Sequence, residues 1–76
     1  MNFGDWMRDF MQLHSIRQVD LCKRAGFHSN LLYWWLNNRN MPSGYNLAVL
    51  ATALSHLSGI ARPIILEEMV VAILKT

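Results

Sequence analysis

The stretch RQVDLCKRAGFHSNLLYWWL, residues 17 to 36, decides the fold. Apolar residues recur at steps of three or four on both sides of its central glycine, first Leu21, Cys22 and Ala25 and then Leu31, Leu32, Trp35 and Leu36. Gly26 can adopt the left-handed backbone that ends a helix, and His28 or Ser29 can cap the next one. The stretch therefore predicts two short helices joined by a turn of about three residues.

The same spacing continues along the chain, and no segment alternates with period two for long enough to suggest a sheet. Pro42 ends the third helix, Ser43 can cap the fourth, Gly59 can end it, and Pro63 suits the first turn of the fifth. The predicted helices cover about residues 2–14, 17–25, 28–37, 43–57 and 62–75. We expect an all-α protein, a compact five-helix bundle that forms a single domain over residues 1–76.

Three of these helices have an apolar face that the spacing assigns to the core. The inward residues are Phe3, Met7, Phe10 and Leu13 in the first helix, Leu47, Leu50, Ala51 and Leu54 in the fourth, and Leu66, Met69, Val70 and Ile73 in the fifth. The apolar residues of the fifth helix spread over an arc of roughly 200°, about twice the width that packing against one core requires. This helix therefore has apolar surface to spare.

The composition also favours self-association. The chain has 76 residues, of which 53% are hydrophobic and 16% charged, and this is more apolar side chain than one small core usually absorbs. A two-fold homodimer through the fifth helix accounts for the surplus, and its predicted interface consists of Ile64, Ile65, Val70, Val71 and Leu74. The alternative is that the fifth helix covers an unusually thick core.

Charge and cysteine content narrow the class of protein. A net charge of +2 permits nucleic acid or another anionic partner without requiring one. The single cysteine, Cys22, allows no intrachain disulfide and fits a reducing cytoplasm. The acidic start of the chain does not resemble a signal peptide, and Glu67 and Glu68 interrupt the longest apolar run, so we expect no membrane span.

Catalytic and metal-binding patterns are missing. The histidines, the cysteine and the aspartates of the chain do not stand at spacings typical of a metal site or a catalytic triad. These residues are His14, His28, His56, Cys22, Asp5, Asp9 and Asp20. We therefore expect neither an enzyme nor a metal site, no cofactor, and no small-molecule effector.

Two short helices joined by a glycine-containing turn are typical of a helix-turn-helix, in which the second helix presents its exposed face to the major groove of DNA. Residues 16 to 54 also resemble the Cro and lambda-type (XRE-like) repressor family. The resemblance depends on the spacing of Gln18, Leu21, Ala25, Gly26, Leu32, Trp35, Pro42, Ser43, Leu47 and Leu50. It implies a lambda-repressor-like DNA-binding domain of five helices.

The resemblance also assigns roles to side chains. It implies that DNA bases are read by Ser29, Asn30, Tyr33 and Trp34, which share the helix face opposite Leu32, Trp35 and Leu36. An asparagine can pair with both major-groove groups of adenine, which makes Asn30 the sharpest candidate. Trp34 can contact either thymine methyl groups or a protein, whereas Trp35 falls at a core position.

Phosphate contacts are expected around this helix. The candidates are Arg17, Gln18, His28, Asn37, Asn38, Arg39 and Asn40. Each could instead belong to ordinary surface or turn chemistry, and His28 could serve as a helix cap or lie in solvent. No lysine or arginine occupies the base-facing positions, so the recognition of guanine is weakly supported.

The sequence departs from the family pattern at two places. Met11 and Leu36 stand where many members carry an arginine–glutamate pair, and we expect the two apolar side chains to touch. Asn38 stands in place of the turn glycine after the third helix, and asparagine tolerates a left-handed backbone better than most residues.

Two functions from different classes follow. The first is a sequence-specific, double-stranded DNA-binding transcriptional regulator, similar to the small phage Cro-type repressors, that acts at an operator as a cytoplasmic homodimer. The alternative is a protein-interaction module on the same fold, antitoxin-like or inhibitory, in which Tyr33 and Trp34 dock a protein partner.

Overall fold

Five α-helices make up the fold in a computed structural model that describes residues 2–75. They are α1 (Phe3–Leu13), α2 (Gln18–Ala25), α3 (Ser29–Leu36), α4 (Gly44–Ser58) and α5 (Arg62–Leu74). The described residues contain no β-strand. Because each helix begins and ends within one residue of its predicted bound, the all-α, five-helix prediction is confirmed.

Local signals fix the ends of the middle helices. Gly26 follows α2 with φ 76° and Gly59 follows α4 with φ 80°, both in the left-handed region where glycine carries no steric penalty. The Ser43 hydroxyl accepts a hydrogen bond of 3.2 Å from the Asn46 N–H and so caps α4. These three predicted start and stop signals are confirmed.

All five helices contribute to one core. Its buried apolar residues are Phe3, Trp6, Met7, Phe10, Met11, Leu21, Leu32, Trp35, Leu36, Leu50, Ala51, Ala53, Leu54, Ile65, Met69 and Ala72. α1 packs against α3 and α5, while α4 packs against α2 and α5. Trp35 is 1% exposed and meets the Phe27 ring edge-on at 5.0 Å, which confirms its predicted place in the core. This indole ties α3 to the rest of the bundle.

The last turn of α1 departs from the prediction. Leu13 was expected to face inward but is 78% exposed. At 100° per residue it lies about 90° from the centre of the buried face, whereas His14 falls on that face. The His14 ring accordingly packs against Phe10, with ring centroids 4.5 Å apart. The prediction for Leu13 is wrong because the four-residue step from Phe10 leads to His14.

Two predictions for α5 are also wrong. Ile65 was expected at a dimer interface but is completely buried in the core of its own chain, together with Met69 and Ala72. Val70 was expected to face inward but is 53% exposed, because it lies about 130° around the helix from that buried stripe. Four of the five interface candidates, Ile64, Val70, Val71 and Leu74, are exposed.

Candidate nucleic-acid interface

The third helix has two distinct sides. Its outer face, defined here as Ser29, Asn30, Tyr33 and Trp34, is exposed to solvent, while Leu32, Trp35 and Leu36 are buried. The two aromatic residues of the outer face keep much of their surface in water, 51% for Tyr33 and 43% for Trp34. The predicted division of α3 into an outward and an inward side is therefore confirmed.

The polar groups on the outer face are available for an external partner. Within residues 2–75, none of its four side chains makes a hydrogen bond to another part of the chain. The Asn30 amide keeps both its donor and its acceptor, and the Tyr33 hydroxyl keeps both functions as well. The outer face can thus form hydrogen bonds without first breaking any in the fold.

His28 fixes the start of α3. Its Nδ1 accepts a hydrogen bond of 3.1 Å from the Asn30 N–H, as the prediction of a histidine cap requires. An imidazole that accepts at Nδ1 carries its proton on Nε2 when it is neutral. His28 can therefore cap the helix and still offer an Nε2–H donor to a phosphate.

The end of α3 is held by Arg8 from α1. The Arg8 Nε donates to the Leu36 carbonyl at 2.9 Å, and Nη2 donates to the Asn37 Oδ1 at 2.9 Å. The Asn37 Nδ2 in turn donates to the Tyr33 carbonyl at 2.8 Å. Both ends of the Asn37 amide are thus occupied within the fold, so a phosphate contact by Asn37 has to compete with these bonds.

Arg8 was missed by the sequence reasoning. The one signal that points to it is its position one turn before Met11, on the part of α1 that faces α3. Met11 and Leu36 are both buried and line the same groove as Arg8, while direct contact between their two side chains stays a prediction.

Asn38 links the same end of α3 to the start of α1. It adopts φ 58°, so the predicted left-handed conformation is confirmed, and its Oδ1 accepts a hydrogen bond of 2.9 Å from the Gly4 N–H. A Cβ on Gly4 would lie 2.6 Å from that oxygen and 2.7 Å from the Trp35 carbonyl oxygen. The close approach therefore requires glycine, and it uses the Asn38 side-chain oxygen for the fold.

Arg17 is paired with an acid. Its Nε and Nη2 donate to the two carboxylate oxygens of Asp20 at 2.8 and 3.2 Å. This hydrogen bonding lowers the pKa of Asp20 below its ordinary value and raises the pKa of Arg17. The spacing of three residues on one helix end was a visible signal for the pair. A phosphate would have to displace Asp20 to reach Arg17.

Three of the remaining phosphate candidates are exposed and uncommitted. Gln18 begins α2, Arg39 follows α3, and Asn40 lies in the connection to α4. Within residues 2–75 their side chains have no hydrogen-bond or ion-pair partner. They can meet a DNA backbone without any rearrangement of the fold.

Exposed apolar residues that the sequence reasoning did not assign follow α3 in the chain. Met41 is 41% exposed and Tyr45, in the first turn of α4, is 79% exposed. Tyr45 lies about 170° around α4 from the centre of its predicted inward face, and this position was the available signal.

Chemistry of other kinds finds little support in the described part of the chain. No group of three or more His, Cys, Asp or Glu residues within residues 2–75 could hold a metal ion. Partial burial raises the pKa of the Cys22 thiol, which disfavours the nucleophilic thiolate. Over the same residues, no helix has both the length and the apolar character needed to cross a bilayer.

Comparison with known proteins adds no relative to this description. The chain matches no family model, no curated protein and no solved structure. The resemblance to the Cro and lambda-type repressors therefore stays a prediction from the residues that carry it.

Proposed function

We propose that the chain is a sequence-specific, double-stranded DNA-binding transcriptional regulator of the cytoplasm. In this proposal it acts as a small Cro-like repressor, with α3 in the major groove of an operator. The observation that supports this most is the outer face of α3, where exposed amide, hydroxyl and aromatic groups have no partner within residues 2–75. Repression is favoured over activation because occupancy alone can block a promoter, whereas activation needs a further surface for the polymerase.

The geometry of α3 suits the reading of bases. Its start is capped by His28, its end is bound by Arg8, and its inner side is held by Trp35. A recognition helix anchored in this way keeps its outward side chains at fixed positions, which base-specific hydrogen bonds require. Asn30 can then pair with adenine, and Trp34 can cover thymine methyl groups.

Contacts to phosphate should be few. Gln18, Arg39 and Asn40 are uncommitted, His28 can offer Nε2–H, and only Arg39 among them carries a permanent charge. Each phosphate that a protein neutralises contributes about −0.9 to the slope of log affinity against log salt concentration. The chain should therefore bind DNA with modest affinity and a shallow but measurable salt dependence.

A homodimer is part of the proposal. Ile64, Val70, Val71 and Leu74 lie within an arc of about 120° on the exposed side of α5. When two copies of α5 pack antiparallel about an axis at Val71, Lys75 of one copy lies opposite Glu67 of the other, because both residues are four positions from Val71. Apolar residues at the centre with opposite charges at the edge are typical of a self-complementary interface.

The experiment is a titration of duplex DNA, followed by fluorescence anisotropy, at several salt concentrations. Asn30→Ala should relax the choice of sequence, because it removes a base contact, while Gln18→Ala should weaken binding to all duplexes alike. Thr52→Ala, a change of an exposed residue on α4, is the control and should leave binding unchanged. Binding that neither Asn30→Ala nor Gln18→Ala alters would refute the assignment.

One observation favours the protein-interaction module as a second candidate. Tyr33 and Trp34 expose apolar surface, and aromatic residues of this kind often anchor protein interfaces. The same titration separates the two functions, because phosphate contacts release counterions, so that duplex binding weakens measurably as salt rises, whereas a protein interface built on aromatic residues responds less. Absence of any duplex binding at low salt would favour the protein partner.

A further inference from the structure

A second surface of the molecule has chemistry of its own. A groove of about 340 Å³ lies along α4, between the end of α2 and the start of α5. It is lined by Arg24, Ala48, Val49, Thr52, Ala53, His56 and Arg62. None of these residues belongs to α3 or to the connection that follows it, so the groove is separate from the outer face of α3.

Three basic side chains from three helices meet around this groove. Arg24 comes from α2, His56 from α4 and Arg62 from α5, and no acidic residue lines the groove. Within residues 2–75, none of the three has a hydrogen-bond or ion-pair partner. Arginine offers several N–H donors in a planar fork that matches the oxygens of phosphate or carboxylate. Such a convergence leaves positive charge uncompensated until an anion binds.

Helix stability accounts for only part of this arrangement. Arg24 and His56 lie in the last turns of their helices, where a positive charge interacts favourably with the helix dipole. Arg62 is the first residue of α5, where a positive charge is unfavourable, and the first turn of α5 contains no acid to offset it. The helix dipole therefore gives no reason for Arg62 at this position.

The floor of the groove indicates what kind of molecule would fit. Ala48, Val49 and Ala53 make it apolar, and the Thr52 hydroxyl already donates to the Ala48 carbonyl at 3.0 Å. Polar recognition is thus left to the basic side chains at the rim, while the floor can contact carbon atoms. A DNA backbone is polar and convex, and it would leave this apolar floor without a partner.

We infer that the groove binds a small organic phosphate. Arg24 and Arg62 would hold the phosphate oxygens, His56 would supply a further donor, and the carbon part of the molecule would rest on Ala48, Val49 and Ala53. This site is independent of the proposed DNA contact by α3. The residues that form it are far apart in the sequence, and for that reason composition and motifs did not indicate an effector.

The test is an NMR titration of the ¹⁵N-labelled protein with phenyl phosphate, a phosphate monoester with an apolar ring, against sodium chloride at equal ionic strength. Saturable shifts are expected in the amide signals along the groove, from Ala48 to His56. Loss of charge-assisted hydrogen bonds in Arg24→Gln/Arg62→Gln should weaken binding about tenfold or more. Lys23→Gln removes a positive charge outside the groove, next to Arg24 in the sequence, and should leave the affinity within a factor of about two.

The inference is overturned if the groove signals do not saturate with phenyl phosphate, or if Arg24→Gln/Arg62→Gln binds it as tightly as Lys23→Gln does. A non-specific duplex titrated into the same protein gives a third outcome: if DNA, and not phenyl phosphate, shifts the groove signals, the groove is a backbone contact and the inference fails. The proposed function is tested separately, because it requires DNA to shift the signals of the outer face of α3.

Discussion

Gly4 and Asn38 join the start of α1 to the end of α3 through a hydrogen bond of 2.9 Å from the Gly4 N–H to the Asn38 Oδ1. The first N–H groups of a helix have no partner within the helix, so this bond satisfies one of them from a distant part of the chain. Asn2 satisfies another by accepting from the Asp5 N–H at 3.0 Å. The Gly4–Asn38 contact, together with Arg8, fixes the end of the helix that we propose reads DNA.

Gly4→Ala should destabilise the protein. The added Cβ would lie 2.6 Å from Asn38 Oδ1 and 2.7 Å from the Trp35 carbonyl, so α1 and α3 must move apart, at a cost of about 1 to 3 kcal/mol in the free energy of unfolding. Gly44→Ala is the matched control, because a Cβ there meets nothing within 4 Å. It should leave stability unchanged or raise it by about 0.4 to 1 kcal/mol. Equal effects of both changes on urea unfolding would contradict the required close approach.

Two substitutions separate the structural role of His28 from its proposed role in DNA binding. His28→Ala removes the cap of α3 and should lower the free energy of unfolding by about 1 kcal/mol. His28→Asp restores the cap, since an aspartate oxygen accepts from the Asn30 N–H, but it places a negative charge near the expected phosphate. The aspartate variant should therefore unfold like the wild type and bind duplex DNA more weakly. Unchanged DNA binding in His28→Asp would remove His28 from the phosphate contacts.

Asp20→Asn should strengthen DNA binding. The change releases the Arg17 guanidinium, which can then meet a phosphate, and the slope of log affinity against log salt concentration should steepen by about one. Asp20→Ala should act in the same direction. If affinity and slope stay the same in both variants, Arg17 does not contact DNA.

The pairing of Arg17 with Asp20 should make the stability of the protein depend on pH. The hydrogen bonds from Arg17 lower the pKa of Asp20 in the folded state, so the pair stabilises the fold at pH values above the ordinary carboxyl pKa. This contribution is lost as the pH falls through the lowered pKa of Asp20. Unfolding free energies of the wild type and of Asp20→Asn should therefore differ at neutral pH and converge in acid. A constant difference over that range would contradict the pairing.

Local chemistry explains what could be predicted from the sequence. Gly26 and Gly59 each end the helix that they follow, and Ser43 caps the helix that it precedes, so each signal is local in the sequence. In α3, the spacing of apolar residues at three and four positions separates Leu32 and Trp35 from the outer face. The pattern was less decisive in α5, where apolar residues occur on nearly every side. Burial there is decided by which helices pack against α5, and the sequence does not state this.

Distant contacts explain what could not be predicted. Arg8 reaches Leu36 and Asn37 across the space between two helices, and Gly4 meets Asn38 in the same way. Neither pair has a local spacing rule, because each depends on how α1 lies against α3. These contacts matter for the site because they engage the side chains of Asn37 and Asn38. The two asparagines were expected to contact phosphates, and in the fold they hold α3 in place.

The proposed dimer predicts a specific loss of association. Val71→Asp and Leu74→Asp place charges in the centre of the α5 face and should give a folded monomer in sedimentation equilibrium. Leu13→Asp introduces the same charge on an apolar residue of α1 that is about as exposed as Leu74, and it should leave the dimer intact. A wild-type monomer at tens of micromolar would contradict the dimer itself.

The direction of the two α5 helices can be tested by exchanging charges. Glu67→Lys alone places a lysine opposite Lys75 of the other copy and should weaken the dimer, because the two positive charges repel. Glu67→Lys together with Lys75→Glu restores opposite charges at the two positions and should restore the dimer. If the double variant associates as weakly as Glu67→Lys, the antiparallel arrangement about Val71 is wrong.

Selection of bound sequences from a random duplex pool tests the central proposal most directly. The wild type should enrich one palindromic sequence, because a two-fold dimer presents two copies of α3 to half-sites about one DNA turn apart. Asn30→Ala should enrich the same sequence with one adenine position relaxed in each half-site. A pool that shows no enrichment, or one that Asn30→Ala enriches identically, would contradict the proposal that the outer face of α3 reads DNA.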